Sequence, residues 1–171
     1  FSEEHPCCYF LASSAAISDN IAQLAEALVA AHPSVRDLTP ADLPTLRSVL
    51  QLYADISRES RFALVLDEFQ YLAQQDPSIP SQIQAWWDSN GLRTQAFIVL
   101  CGSHIGMMES LAKASQPLYG RFTARRKLPP MTYKNTARFY HDSKWSGRDI
   151  LTAFGVLGGT PRYHALFEPD R

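Results

Sequence analysis

The chain has 171 residues, 46% of them hydrophobic, so it can bury a core and is expected to form one domain with a small appendage. No apolar run approaches the roughly 20 residues that span a bilayer, which predicts a cytoplasmic protein without membrane contact. Three cysteines (Cys7, Cys8 and Cys101) make neither a disulfide framework nor a paired metal motif, and this excludes disulfide scaffolds and zinc ribbons.

The net charge of −1 conceals an asymmetry along the chain. Residues 1–119 contain 13 acidic residues and 6 Lys/Arg, whereas residues 120–148 contain 8 Lys/Arg and one acidic residue. Such a basic block can face the phosphates of a nucleotide or of nucleic acid. More often it is a solvated face that balances an acidic neighbour, and charge alone leaves both interpretations open.

The first part of the chain predicts a strand followed by two helices. An apolar run at residues 7–12 indicates a short buried strand. Apolar residues recur at helical spacing from Ser18, a candidate N-cap, to about His32. A second helix is predicted to begin at Thr39-Pro40, because proline suits the first helical position, and to end near Ser57–Ser60.

The central strand is predicted at residues 62–66, where five apolar residues follow one another without alternation. Such a run is typical of a strand covered on both faces in a parallel sheet. It stops at Asp67 and Glu68. Ligands of open α/β sheets bind beyond the carboxyl ends of the strands, so the two acids are placed to handle a metal and a water. They equally fit the polar end of a buried strand.

The remainder of the chain continues the alternation of helix and strand. A helix is predicted up to Asn90-Gly91, and a buried strand at residues 95–101 precedes Gly102-Ser103. This alternation is typical of parallel βαβ units and predicts an α/β fold. A last strand is expected within residues 122–131, and residues 132–157 are expected to be helical.

Four residues are candidates for phosphoryl transfer, which needs a phosphate cradle, a metal, a group that orients water, and a cation. Asp67 is placed to hold Mg²⁺ through water, Glu68 to polarise the attacking water, Ser103 to sense the γ-phosphate, and Arg121 to supply the cation. The cradle motif G-x-x-x-x-G-K-[ST] is absent from the sequence, since no glycine is followed by lysine.

Four short motifs follow one another over about residues 60–167. They are Leu66-Asp67-Glu68-Phe69-Gln70-Tyr71-Leu72, Cys101-Gly102-Ser103, Pro117-Leu118-Tyr119-Gly120-Arg121 and Gly158-Gly159-Thr160-Pro161-Arg162-Tyr163. This combination resembles the archaeal-type ATPase family, in the STAND branch of the AAA+ P-loop ATPases. The resemblance implies a three-layer sandwich with a parallel sheet, and a switch ATPase that uses ATP and Mg²⁺.

The resemblance also implies roles for individual residues. By the family pattern Asp67 and Glu68 are the Walker B acids, with Asp67 at the metal and Glu68 catalytic. Ser103 lies in the sensor region, and Arg121 is a γ-phosphate or finger arginine. Pro161 matches a Gly-x-Pro element near the adenine.

The same resemblance predicts an internal fragment, truncated at the N-terminus. The family's P-loop precedes the strand that is predicted at residues 7–12. Residues 1–131 would then be a partial ATPase core, and residues 132–171 the start of a helical lid. The family's sheet order, 5-1-4-3-2, would then leave strand 95–101 with an unpaired edge. Either the segment at 123–129 or a second copy of the chain is expected to pair with that edge.

The intact parent protein is therefore expected to hydrolyse ATP to ADP and phosphate. The isolated chain should bind ATP poorly, because the amides and lysine of a P-loop supply most phosphate contacts. The expected partners are the nucleotide, a second copy of the chain, and DNA bound by regions outside this chain.

Two other functions are kept as alternatives. A non-enzymatic module would use residues 120–148 to bind nucleic acid or a protein, and binding to phosphates would weaken as salt rises. A metal or carboxylate-pair hydrolase unrelated to ATP is disfavoured, because adjacent acids on a strand point to opposite faces and the five histidines show no ligand spacing.

Overall fold

The computed structural model describes residues 6–167 in two compact units. Backbone contacts separate a unit that ends at Thr123 from a unit that begins at Ala124. The predicted boundary lay after Met131, and the contacts group residues 124–131 with the helical unit. No helix within residues 6–167 combines the length and the apolarity needed to cross a membrane.

Three parallel strands form the sheet of the first unit. They are β1 (Cys7–Leu11), β2 (Phe62–Asp67) and β3 (Ala96–Leu100), in the order β1-β2-β3. The register aligns Tyr9 with Val65 and Val65 with Val99. The three strands occur where the apolar runs predicted them, and they confirm an α/β fold with a parallel sheet. The strand that ends at Asp67, β2, lies in the centre.

Helices connect the strands of the first unit and make up most of the second. The first unit contains α1 (Ile17–Ala31), α2 (Leu46–Glu59), α3 (Phe69–Gln75), α4 (Ile79–Asn90) and α5 (Ile105–Ser110), with 3₁₀ turns at Pro33–Val35 and Pro40–Asp42. The second unit contains α6 (Tyr133–Phe139), α7 (Gly147–Leu157) and α8 (Pro161–Leu166).

Helix α2 begins later than Thr39-Pro40, where it was predicted. Thr39 caps only the short 3₁₀ turn. The next proline, Pro44, disfavours helical backbone at Leu43, which has φ −125° and ψ 56°. Thr45 then caps α2, and its hydroxyl accepts a hydrogen bond of 3.1 Å from the Ser48 N–H.

One face of the sheet carries the main core. Helices α1 and α2 pack on it and on each other, with fully or nearly fully buried side chains at Leu24, Leu28, Val49, Leu50, Tyr53, Phe62, Leu64 and Leu66. The alternate residues of the strands point to the other face, where Tyr9 is 56% exposed, Leu11 54% and Phe97 37%. The two faces of this sheet are therefore covered unequally.

The predicted last strand at residues 122–131 is wrong. This segment has no regular secondary structure, and the sheet of the described residues has three strands only. Its composition explains the error: Arg125, Arg126 and Lys127 interrupt any apolar alternation, and Pro129 and Pro130 cannot donate to a ladder. Pairing of this segment with β3 is thereby excluded, whereas pairing of β3 with a second copy stays a prediction.

The helical unit is held by a polar contact and a buried histidine. The Met131 N–H donates to the Gly159 carbonyl at 2.7 Å. His164 is 1% exposed, and its Nε2 donates to the Gly158 carbonyl at 2.7 Å. The other ring nitrogen, Nδ1, is hydrogen-bonded to the Tyr140 hydroxyl at 2.8 Å. The predicted helix at 132–157 is two helices, because Ser146 caps α7 anew.

Replacing Gly159 by alanine should loosen this unit. A Cβ there would lie 2.8 Å from Met131 N and closer still to Met131 O, so the backbone around Met131 must move. We expect a loss of about 1–3 kcal/mol in the free energy of unfolding of this unit, measured by hydrogen exchange of the α7 and α8 amides. The matched control is Gly155→Ala inside α7, where a Cβ meets nothing within 4 Å. It should stabilise by about 0.5–1 kcal/mol, and equal losses in both variants would contradict the steric explanation.

Candidate functional site at the carboxyl ends of β2 and β3

The candidate site begins with an abrupt turn from strand to helix. Asp67 ends β2, α3 begins at Phe69, and Glu68 between them has φ 51° and ψ 40°. Among the described residues it is the one non-glycine with positive φ. Such backbone costs on the order of 1–3 kcal/mol and is concentrated at functional sites. The turn is tied to the end of β3, because the Phe69 N–H donates to the Cys101 carbonyl at 2.9 Å.

The Glu68 carboxylate is bound by the loop that follows β3. Its Oε2 accepts hydrogen bonds from the Ser103 hydroxyl at 2.9 Å and from the Ser103 N–H at 3.2 Å. The Gln70 side-chain amide donates to the same oxygen. These donors, that of Gln70 first, lower the pKa of Glu68 from its ordinary value. Glu68 is therefore a charged acceptor held next to Ser103.

The Asp67 carboxylate faces the other neighbouring strand. Its Oδ2 accepts a hydrogen bond of 2.6 Å from the Tyr9 hydroxyl on β1, and its Oδ1 accepts from the Glu68 N–H at 2.9 Å. The hydrogen bond to Asp67 is the main cause that raises the pKa of Tyr9. The two adjacent acids therefore diverge, Asp67 toward β1 and Glu68 toward the loop after β3.

The donor set at this edge suits Mg²⁺ bound largely through water. Mg²⁺ keeps several waters and takes one or two carboxylates together with substrate phosphates. Asp67 supplies one half-buried carboxylate at the strand end. Within residues 6–167 no three His, Cys, Asp or Glu side chains converge as a metal site. Asp67 thus fits a shared metal better than a site built from protein ligands alone.

Arg121 is paired with Asp88. Its Nη2 and Nε donate to the two carboxylate oxygens of Asp88 on α4, at 2.8 and 3.1 Å, and Nη1 donates to the Tyr119 carbonyl at 2.8 Å. The fork geometry matches a carboxylate well, and the hydrogen bond from Arg121 lowers the pKa of Asp88. The role predicted for Arg121 in phosphoryl transfer stays a prediction.

Pro161 belongs to the helical unit. It is the first residue of α8, and Gly158 before it has φ 66°. The buried His164 lies on the same short helix and hydrogen-bonds the Gly158 carbonyl. The local turn around Pro161 is therefore well defined, and its predicted place near an adenine stays a prediction.

Two residues of the site were not among the predicted ones. Gln70 contacts Glu68 and lies 3.4 Å from the Ser103 hydroxyl, and Tyr9 contacts Asp67. A signal existed for Gln70, because it is a polar residue among the core-facing positions Phe69 and Leu72 of α3. For Tyr9, strand register alone gives no such signal.

Comparisons with known proteins bear on the fold. No family model matches the sequence. Over 101 residues, 58% of this chain, it is 30% identical to an uncharacterized protein of Methanocaldococcus jannaschii, of which it covers 23%. Its structure is similar to that of a Walker-type ATPase of Pyrococcus abyssi, with a TM-score of 0.65 and 17% sequence identity, over 96% of this chain and 62% of that chain.

The chain thus spans less than two thirds of either protein. Sequence identity of 17% shows a common fold and leaves activity open. The parallel sheet, its order and this likeness agree with one another. The chain has an α/β fold similar to that of this Walker-type ATPase.

Proposed function

We propose that this chain carries the Walker B and sensor elements of an ATP-hydrolysing switch ATPase of the AAA+ class, in its STAND branch. The observation that supports this most is the contact between the Glu68 carboxylate and Ser103, at the carboxyl ends of two adjacent parallel strands. This edge of an open α/β sheet is where ligands bind. A strained backbone at Glu68 and a fold similar to a Walker-type ATPase support the same proposal.

In this proposal Asp67 and Glu68 have different roles. Glu68 orients and polarises the water that attacks the γ-phosphate, and its lowered pKa keeps it ionised near neutral pH. Asp67 holds Mg²⁺ through water, and the ion when bound offsets the negative charge of the phosphates. Ser103 serves as the sensor, since its hydroxyl already contacts Glu68.

Arg121 and Pro161, which lie in different units, have the remaining proposed roles. The Arg121–Asp88 pair is partly exposed, at 33% and 47%, so exchange of Asp88 for a phosphate as partner costs little. In this proposal Pro161, the first residue of α8, lines an adenine pocket. We also propose that the whole protein is cytoplasmic. It would self-associate through the outer edge of β3, which pairs with no strand among the described residues.

The test is ATP hydrolysis by the whole protein that contains this chain. We expect phosphate release that requires both ATP and Mg²⁺, at a turnover typical of such sites, about 1 s⁻¹ or less without activator. The second candidate is a nucleic-acid module, favoured by the exposed Arg125, Arg126, Lys134 and Arg138 of the helical unit. Absence of nucleotide binding, together with RNA or DNA binding that falls steeply with salt, would support it instead.

A further inference from the structure

We propose that Gln70 is a positioning residue of this site: its side-chain amide holds the Glu68 carboxylate against Ser103 and thereby selects the oxygen that faces water. The effect of this contact on catalysis rests on the proposed function. All three donors recorded on Glu68 bind Oε2, namely Gln70 Nε2, Ser103 N and Ser103 Oγ. Among the described residues this arrangement leaves Oε1 for an attacking water.

The chemistry of the amide fixes its orientation. Gln70 Nε2 donates to Glu68 Oε2 and lies 3.4 Å from the Ser103 hydroxyl. The reversed amide would place its oxygen against a carboxylate oxygen, where two acceptors repel each other. Gln70 in the first turn of α3 is therefore linked to the loop after β3. The link runs through Glu68, the proposed catalytic residue.

Among residues 6–167 the remaining oxygen of Gln70 has no hydrogen-bond partner. Gln70 is 4% exposed, and its Oε1 is buried without a hydrogen bond. It lies against Gly102, where an added Cβ would collide with it. An unpaired buried oxygen destabilises a protein, and a methionine of similar size would avoid it. We therefore infer that the amide is present at this position for its N–H groups, which donate to Glu68.

Two variants of the full protein test this assignment, one by removing the donors of the amide and one by displacing the amide. Gln70→Met keeps the volume and removes both donors, and Gly102→Ala leaves the donors but displaces the amide. The control is Gln74→Met, which makes the same substitution at an exposed position one turn further along α3. The direct readout is hydrogen exchange of the Ser103 amide, whose N–H donates to Glu68 Oε2.

We expect Ser103 to exchange about tenfold faster in both test variants and at the wild-type rate in the control. We also expect kcat for ATP hydrolysis to fall about tenfold while KM stays within twofold, since positioning acts on the attacking water and not on nucleotide binding. Unchanged exchange at Ser103 in both test variants overturns the inference. A protein that hydrolyses no ATP would refute the proposed function, and the exchange measurement would still decide the role of Gln70.

Discussion

Replacing Glu68 by glutamine should lower ATP turnover by the whole protein roughly 10²–10⁴-fold, the range ascribed to a general base. Glutamine keeps a carbonyl oxygen that can accept from Ser103 and Gln70, so the site should keep its shape. What it loses is the negative charge that polarises water. Binding of ATP should persist, because Glu68 acts on the water and not on the phosphates. Phosphate release and calorimetric nucleotide binding, measured side by side, separate these two steps.

The matched control for this prediction is Glu59→Gln. Glu59 is an exposed carboxylate at the end of α2, so its replacement changes the net charge equally without reaching the site. Turnover in this variant should equal that of the wild type. Retention of full activity by Glu68→Gln would show that another group activates water.

Replacing Tyr53 by phenylalanine should destabilise the first unit by about 2–4 kcal/mol. Tyr53 is 0% exposed, and burial raises its pKa to about 12. Its hydroxyl donates to the Phe62 carbonyl at 3.0 Å and accepts from the Phe97 N–H at 2.8 Å. One side chain of α2 therefore joins the first residue of β2 and the second residue of β3. Phenylalanine removes both bonds while preserving the packed ring.

Chemical denaturation measures this loss, with Tyr119→Phe as the reference variant. Tyr119 is 52% exposed, and removal of its hydroxyl should change the free energy of unfolding by less than about 0.5 kcal/mol. Similar values for the two variants would mean that water replaces the Tyr53 hydroxyl between the strands, and the bridge would then contribute nothing to stability.

Sequence patterns predicted the parts of the structure that depend on local composition. The unbroken apolar run before Asp67 marked the central strand, because a strand covered by neighbours needs no polar alternation. Parallel strands bring their carboxyl ends to one edge, so the proximity of Glu68 and Ser103 also followed from the pattern. The α/β fold with a parallel sheet was predictable for the same reason.

The features that were missed depend on contacts between distant segments. The ion pair between Arg121 and Asp88 joins a turn to α4, and no spacing in the sequence signals it. The expected strand at 122–131 does not form, because its apolar residues alternate poorly with adjacent charges and two prolines. Ser146 and Asp149 form a capping box that does appear in the sequence, and it would have marked the start of α7.

The topology of the sheet has a consequence for the order in which the chain folds. Pairing of β2 with β3 closes a loop that contains only α3 and α4, whereas pairing of β1 with β2 encloses α1, two 3₁₀ turns and α2. The entropy lost on closing a loop grows with its length, and distant pairings form more slowly. We therefore expect the β2–β3 half to form first and β1 to add last. The Glu68–Ser103 contact would then exist before Tyr9 reaches Asp67.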